Sequence, residues 1–69
     1  MNKYVIPICD LNESKIYNLV LFAKSISDCK DKIINHFSDK SIKDEYDELV
    51  EDLDSKDILV GDIKDIEEL

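Results

Sequence analysis

Apolar residues fall along this chain in five stretches, and the change in their spacing marks the elements. Residues 3–11 (Lys-Tyr-Val-Ile-Pro-Ile-Cys-Asp-Leu) and 16–23 (Ile-Tyr-Asn-Leu-Val-Leu-Phe-Ala) are dense in β-branched and aromatic types and predict two strands. The polar Asn12-Glu13-Ser14-Lys15 between them suits a hairpin turn. Pro7 has no N–H for a ladder, so the first strand belongs at a sheet edge or turns Pro7 outward. Both strands are apolar on both faces, as expected when helices cover one face and the other is partly covered or meets a partner. From Ser25 the spacing becomes helical. Ser25-Ile26-Ser27-Asp28 has the form of a capping box, and Ile26, Cys29, Ile33, Ile34 and Phe37 recur on one helical face. Ser41-Ile42-Lys43-Asp44 repeats the cap pattern and predicts a second helix, with Ile42, Tyr46, Leu49, Val50 and Leu53 as its inner stripe. Residues 58–63 (Ile-Leu-Val-Gly-Asp-Ile) read as a third strand with Gly61 at a bulge, and the tail 64–69 continues that strand or frays.

The order β-β-α-α-β predicts a single α+β domain over residues 1–69: a three-stranded antiparallel sheet with a helical hairpin packed on one face. Two helices of similar length bring the chain back to the end of the second strand. That favours strand order 1-2-3 with the Pro7 strand at an edge; order 3-1-2 with a parallel pair is the alternative. A chain of 69 residues buries only about 60% of its unfolded surface, which favours a binding or regulatory module over an enzyme with a large cavity of its own.

Charge changes the picture. There are nine Lys and no Arg against eleven Asp and six Glu, a net charge of −8. Residues 1–40 sum to +1 and residues 41–69 to −9, so the whole surplus lies in the C-terminal part. Such a chain is not expected to bind nucleic acid or an anionic membrane, both of which attract basic patches. A basic protein surface is the natural partner. Acidic surfaces also serve solubility. Yet Asp44, Glu45, Asp47, Glu48, Glu51 and Asp52 crowd nine positions, where like charges at helical spacing cost a few tenths of a kcal/mol per pair.

Known chemistry finds little footing. One glycine excludes a Gly-rich phosphate loop. Cys29 and His36 lie seven residues apart on one helix, about 10.5 Å of rise, beyond hydrogen-bond reach. Cys29 reads as a core residue and His36 as a surface or capping residue. Two Cys and one His have no zinc spacing, and the Asp52–Asp57 loop lacks the glycine and ligand order of a calcium site. No catalytic residue, metal or cofactor is expected. Tyr46 belongs to the inner stripe, while Tyr4 and Tyr17 remain open as interface anchors. No leader pattern precedes the first strand, no apolar run reaches the ~20 residues of a membrane span, and two cysteines make no secreted framework. The expected compartment is the cytoplasm, with thiols reduced, although one bridge between Cys9 and Cys29 remains geometrically open.

In size, charge and α/β make-up, rather than in any motif, the chain resembles the small acidic proteins that phages and other mobile elements direct against host defence, the DNA-mimic anti-restriction and anti-CRISPR proteins. The resemblance implies a non-enzymatic inhibitor in the host cytoplasm that presents carboxylates where a nuclease or surveillance complex expects phosphates. Asp44, Glu45, Asp47, Glu48, Glu51 and Asp52 would make the contacts, with Asp62, Asp65, Glu67 and Glu68 secondary. The six Lys of residues 1–40 depart from an all-round acidic mimic and imply a single acidic face. The alternative is an assembly module that dimerises, or adds to a partner's sheet, through its apolar sheet edge, with the acids serving solubility only.

Overall fold

In the computed structural model, which describes residues 1–66, the two strand-like stretches form the longest elements. Strands β1 (Asn2–Asp10) and β2 (Lys15–Ala23) pair antiparallel along their whole length, from Asn2 opposite Ala23 to Asp10 opposite Lys15. The turn between them is held by Asp10. Its carboxylate accepts from the backbone N–H groups of Asn12 and Glu13 at 3.0 and 3.3 Å, an arrangement to which Asp is suited.

Helix α1 (Ile26–His36) begins where the cap pattern places it. Ser25 accepts at 3.2 Å from the Asp28 N–H, and the Asp28 carboxylate accepts in return from the Lys24 N–H at 3.0 Å. Helix α2 (Tyr46–Ser55) does not start at Ser41. Residues 41–44 are irregular, and Ile42, expected on the inner stripe, is 96% exposed. The buried Ser41 hydroxyl donates to the Asp52 carboxylate at 2.5 Å and accepts from the Lys43 N–H at 3.2 Å, so it closes a local turn rather than the first turn of a helix.

Contacts between the helical segments show how they run. The Lys30 ammonium lies 5.3 Å from the Tyr46 ring centroid, joining α1 to the start of α2. Lys56 donates to the carbonyl of Lys40 at 2.7 Å, joining the end of α2 to the segment just past α1. The helices thus run side by side in the same sense, and residues 37–45 return the chain between them. Strand β3 (Ile58–Val60) therefore begins beside Asp10, at the far end of the sheet from Ala23. The order is β2-β1-β3, and β1 is antiparallel to both neighbours. The α+β class and the β-β-α-α-β order agree with the sequence reading; the favoured strand order 1-2-3 gives way to the alternative 3-1-2 with β1 at the centre, but its β1–β3 pair is antiparallel rather than parallel.

A proline in a central strand needs a reason, and the bulge supplies it. The Pro7 carbonyl accepts from the Gly61 N–H at 2.8 Å, which points the missing Pro7 donor toward the same neighbour. There the ladder is already broken. Between Ile8 opposite Val60 and Val5 opposite Lys64, two residues of β1 face three, Gly61, Asp62 and Ile63. A short strand, β4 (Lys64–Asp65), then resumes pairing with β1, which makes the sheet four-stranded. A Cβ on Gly61 would lie 2.5 Å from Pro7 Cγ, so the proline ring fills the space a side chain would need.

One face of the sheet carries the core. Tyr4, Ile6 and Ile8 of β1 and Ala23 of β2 pack against Cys29, Ile33 and Phe37 from the first helical segment and Leu49 and Leu53 from α2. The other face has no cover among the described residues. Its register pairs are Lys3 with Phe22, Val5 with Val20, Pro7 with Asn18, and Cys9 with both Ile16 and Leu59.

Candidate protein-binding site

Helix α2 sorts its residues by a simple angular rule. At 3.6 residues per turn, buried Leu49 and Leu53 point inward, while Asp47, Glu48, Glu51, Asp52 and Asp54 fall within roughly 160° on the other side. The ten residues of α2 span about 15 Å, so these five carboxylates come at about one per 3 Å of axis. A single DNA strand carries one charge per ~3.4 Å. Asp44 and Glu45, both exposed, precede the first turn, where the positive end of the helix favours anions. Asp54 lies on this arc beside the expected residues. The same 3.6-residue spacing identifies it, although sequence position puts it with the loop that follows.

The carboxylates differ in what they do. Asp52 accepts from Ser41 at 2.5 Å and from Lys56 at 3.0 Å, and these bonds, Ser41 first, hold its carboxyl below the usual carboxylate range. Asp52 is therefore a holding group for the residues 37–45 return rather than an open contact. Among the described residues, Asp44, Glu45, Asp47, Glu48 and Glu51 have no ion-pair partner and lie exposed. Several lysines are committed elsewhere: Lys32 donates to the Phe22 carbonyl at 2.6 Å, Lys56 to Lys40 and Asp52, and Lys15 pairs with Glu13 at 3.7 Å.

An open groove of ≈ 680 Å³ borders this face. Ile26, Tyr46, Val50 and Ile63 supply apolar lining, and Asp47, Glu51 and Asp62 supply negative charge beside one cation, Lys30. Asp62 is brought to the α2 acids because the bulge carries it outward beside them. Asp65 is placed differently, half-buried in β4 opposite Tyr4. Glu67 and Glu68 lie outside the described residues. Burial, with help from Asp47 and Asp62, pushes the Tyr46 hydroxyl above its ordinary pKa, so the groove holds a neutral phenol.

The remaining reactive side chains have structural settings. Cys29 is fully buried, and burial followed by the charge of Asp28 pushes its thiol up, away from a nucleophilic thiolate. Cys9 lies on the opposite face of the sheet, and both cysteines are free, which leaves no route to a bridge between them. Exposed His36 meets Phe37 edge-on at 4.8 Å. Tyr4 is a core residue whose hydroxyl accepts from Asn2 at 3.1 Å, whereas Tyr17 is 38% exposed. Among the described residues no cluster of His, Cys, Asp or Glu could hold a metal ion, and no helix is long and apolar enough to cross a membrane.

No model of a known protein family matches this chain, and no curated protein and no solved structure matches it either.

Proposed function

We propose that this chain is a non-enzymatic inhibitor that uses the acidic arc of α2 to occupy a phosphate-binding surface of a basic, nucleic-acid-handling protein. The observation that carries this reading is the density of open carboxylates on α2: Asp47, Glu48, Glu51 and Asp54 give about one per 4 Å of axis, near the charge spacing of a DNA strand. Glu48 and Glu51, with Asp47, form the open centre of the contact; Asp44 and Glu45 extend it past the helix start, and Asp62 reaches it across the groove. Asp54 joins them. Asp52 shapes the surface from behind. A phage-encoded anti-restriction or anti-CRISPR protein acting in the host cytoplasm would be built this way, with a nuclease or surveillance complex as its target.

Salt and DNA competition test the reading. Tagged protein is incubated with nuclease-treated host lysate, washed at rising ionic strength, and the retained proteins are identified by mass spectrometry. The expected catch is a nucleic-acid-binding protein that is released by salt and displaced by added DNA, since exposed charge pairs are screened. A catch that resists salt and ignores DNA contradicts it.

A further inference from the structure

We infer that the uncovered face of the sheet binds a second copy of this chain, forming a two-fold dimer with the sheets stacked and the helices outward. This inference does not depend on the proposed function, which uses the opposite side of the molecule. An antiparallel sheet with one wet face normally alternates apolar and polar residues. Here the open face instead carries Ile16 at 84%, Phe22 at 56%, Val20 at 44% and Leu59 at 42% exposure, with half-buried Val5 and Cys9 among them.

Charge selects the occupant. No paired position on this face bears an acid; its charged residues are Lys3 and Lys64, whose long stems can lie along the sheet with the ammonium at the rim. Each copy has a net charge of −8, and among the described residues its acids lie with the helices, in the loops, at the bulge, or, for Asp10 and Asp65, on the helix-covered side of the sheet. Two copies meeting through their helices would oppose carboxylates. Stacking the sheets instead puts the acidic surfaces on opposite outer sides, as far apart as the molecule allows.

Area agrees with this arrangement. Nine-residue strands reach about 30 Å, and three strands abreast cover about 15 Å. Two such faces, with their side-chain relief, remove on the order of 1,000 Å² from water, the lower bound for a specific interface. The dimer is thus concentration-dependent rather than permanent, with the sheets about 10 Å apart.

Sedimentation equilibrium of the full chain from micromolar to millimolar concentration tests this, with Glu48→Lys/Glu51→Lys, Val20→Asp/Phe22→Asp and Ile16→Lys beside the wild type. The wild type and the α2 variant should approach twice the 8.0 kDa of one chain. Both sheet-face variants should stay at one chain while keeping their far-UV circular dichroism. Ile16 is so exposed that its replacement leaves the fold of the single chain undisturbed. Added salt should strengthen the wild-type dimer by screening the repulsion between copies. Thiol labelling of Cys9 should slow as the wild type is concentrated and stay constant in the sheet-face variants. A wild type that remains a single chain throughout, or a dimer that survives the sheet-face substitutions, overturns the inference.

Discussion

Gly61 and Pro7 explain each other. The ring of Pro7 fills the space beside Gly61, and the bulge at Gly61 absorbs the hydrogen bond that Pro7 cannot donate. Gly61→Ala places a methyl 2.5 Å from Pro7 Cγ and should destabilise the fold by about 1–3 kcal/mol, as overpacking does. Chemical denaturation of Gly61→Ala and of Pro7→Ala/Gly61→Ala separates ring from backbone: removing the ring should recover most of the loss, and equal instability in both would trace it to the backbone. Ser41 and Asp52 form a second pair whose effect depends on pH. A carboxyl held below its usual range stabilises the fold fully above its unfolded value near 3.8, and that contribution is lost as the pH falls through the lower folded value. Ser41→Ala should therefore be less stable than the wild type at neutral pH, and the gap should narrow as the pH falls below about 3.8. Denaturation curves at several pH values read this directly; a gap independent of pH would remove Asp52 from the explanation.

The helices differ in how they begin. Helix α1 has a satisfied cap at Ser25, whereas α2 starts at Glu45, which makes no side-chain capping bond. Glu45→Ser should stabilise the fold by about 0.5–1 kcal/mol through a new cap, while removing one carboxylate from the acidic surface. Opposite shifts in melting temperature and in affinity for the retained partner are the expected result. This contrast also shows what was legible in the sequence. The strands, α1 and the bulge could be read because each rests on local chemistry: β-branched runs, a capping pair, a lone glycine. The start of α2 could not. Ser41-Ile42-Lys43-Asp44 is a sound cap pattern, but the serine closes a turn on the Lys43 N–H and is tied to Asp52, eleven residues on, instead of opening the helix. Strand order failed for a related reason. It depends on the sense of α2 relative to α1, which contacts such as Lys30 on Tyr46 and Lys56 on Lys40 reveal but which has no signal in residue spacing. Of the site, the acidic arc was visible in the sequence, but the structural engagement of Asp52 and the arrival of Asp62 at the groove were not.

At the scale of the whole molecule, two surfaces of opposite character lie on opposite sides of one sheet. The helical side carries the carboxylates, and the open side is apolar with lysines at its margin. Salt distinguishes the two: it should weaken binding through α2 and strengthen self-association through the sheet. The proposed binding role would give a reason to keep carboxylates that repel one another along α2, a cost that solubility alone could avoid by spreading them. The decisive measurement is the affinity of the wild type and of Glu48→Lys/Glu51→Lys for the retained partner across a series of salt concentrations. Both residues are exposed and without an ion-pair partner among the described residues, so the variant should keep its fold. The wild type should bind tightly at low salt and lose affinity steeply as salt rises, while the variant fails to bind at any salt. Equal affinity of the two proteins, unaffected by salt, would contradict the role given to the acidic helix.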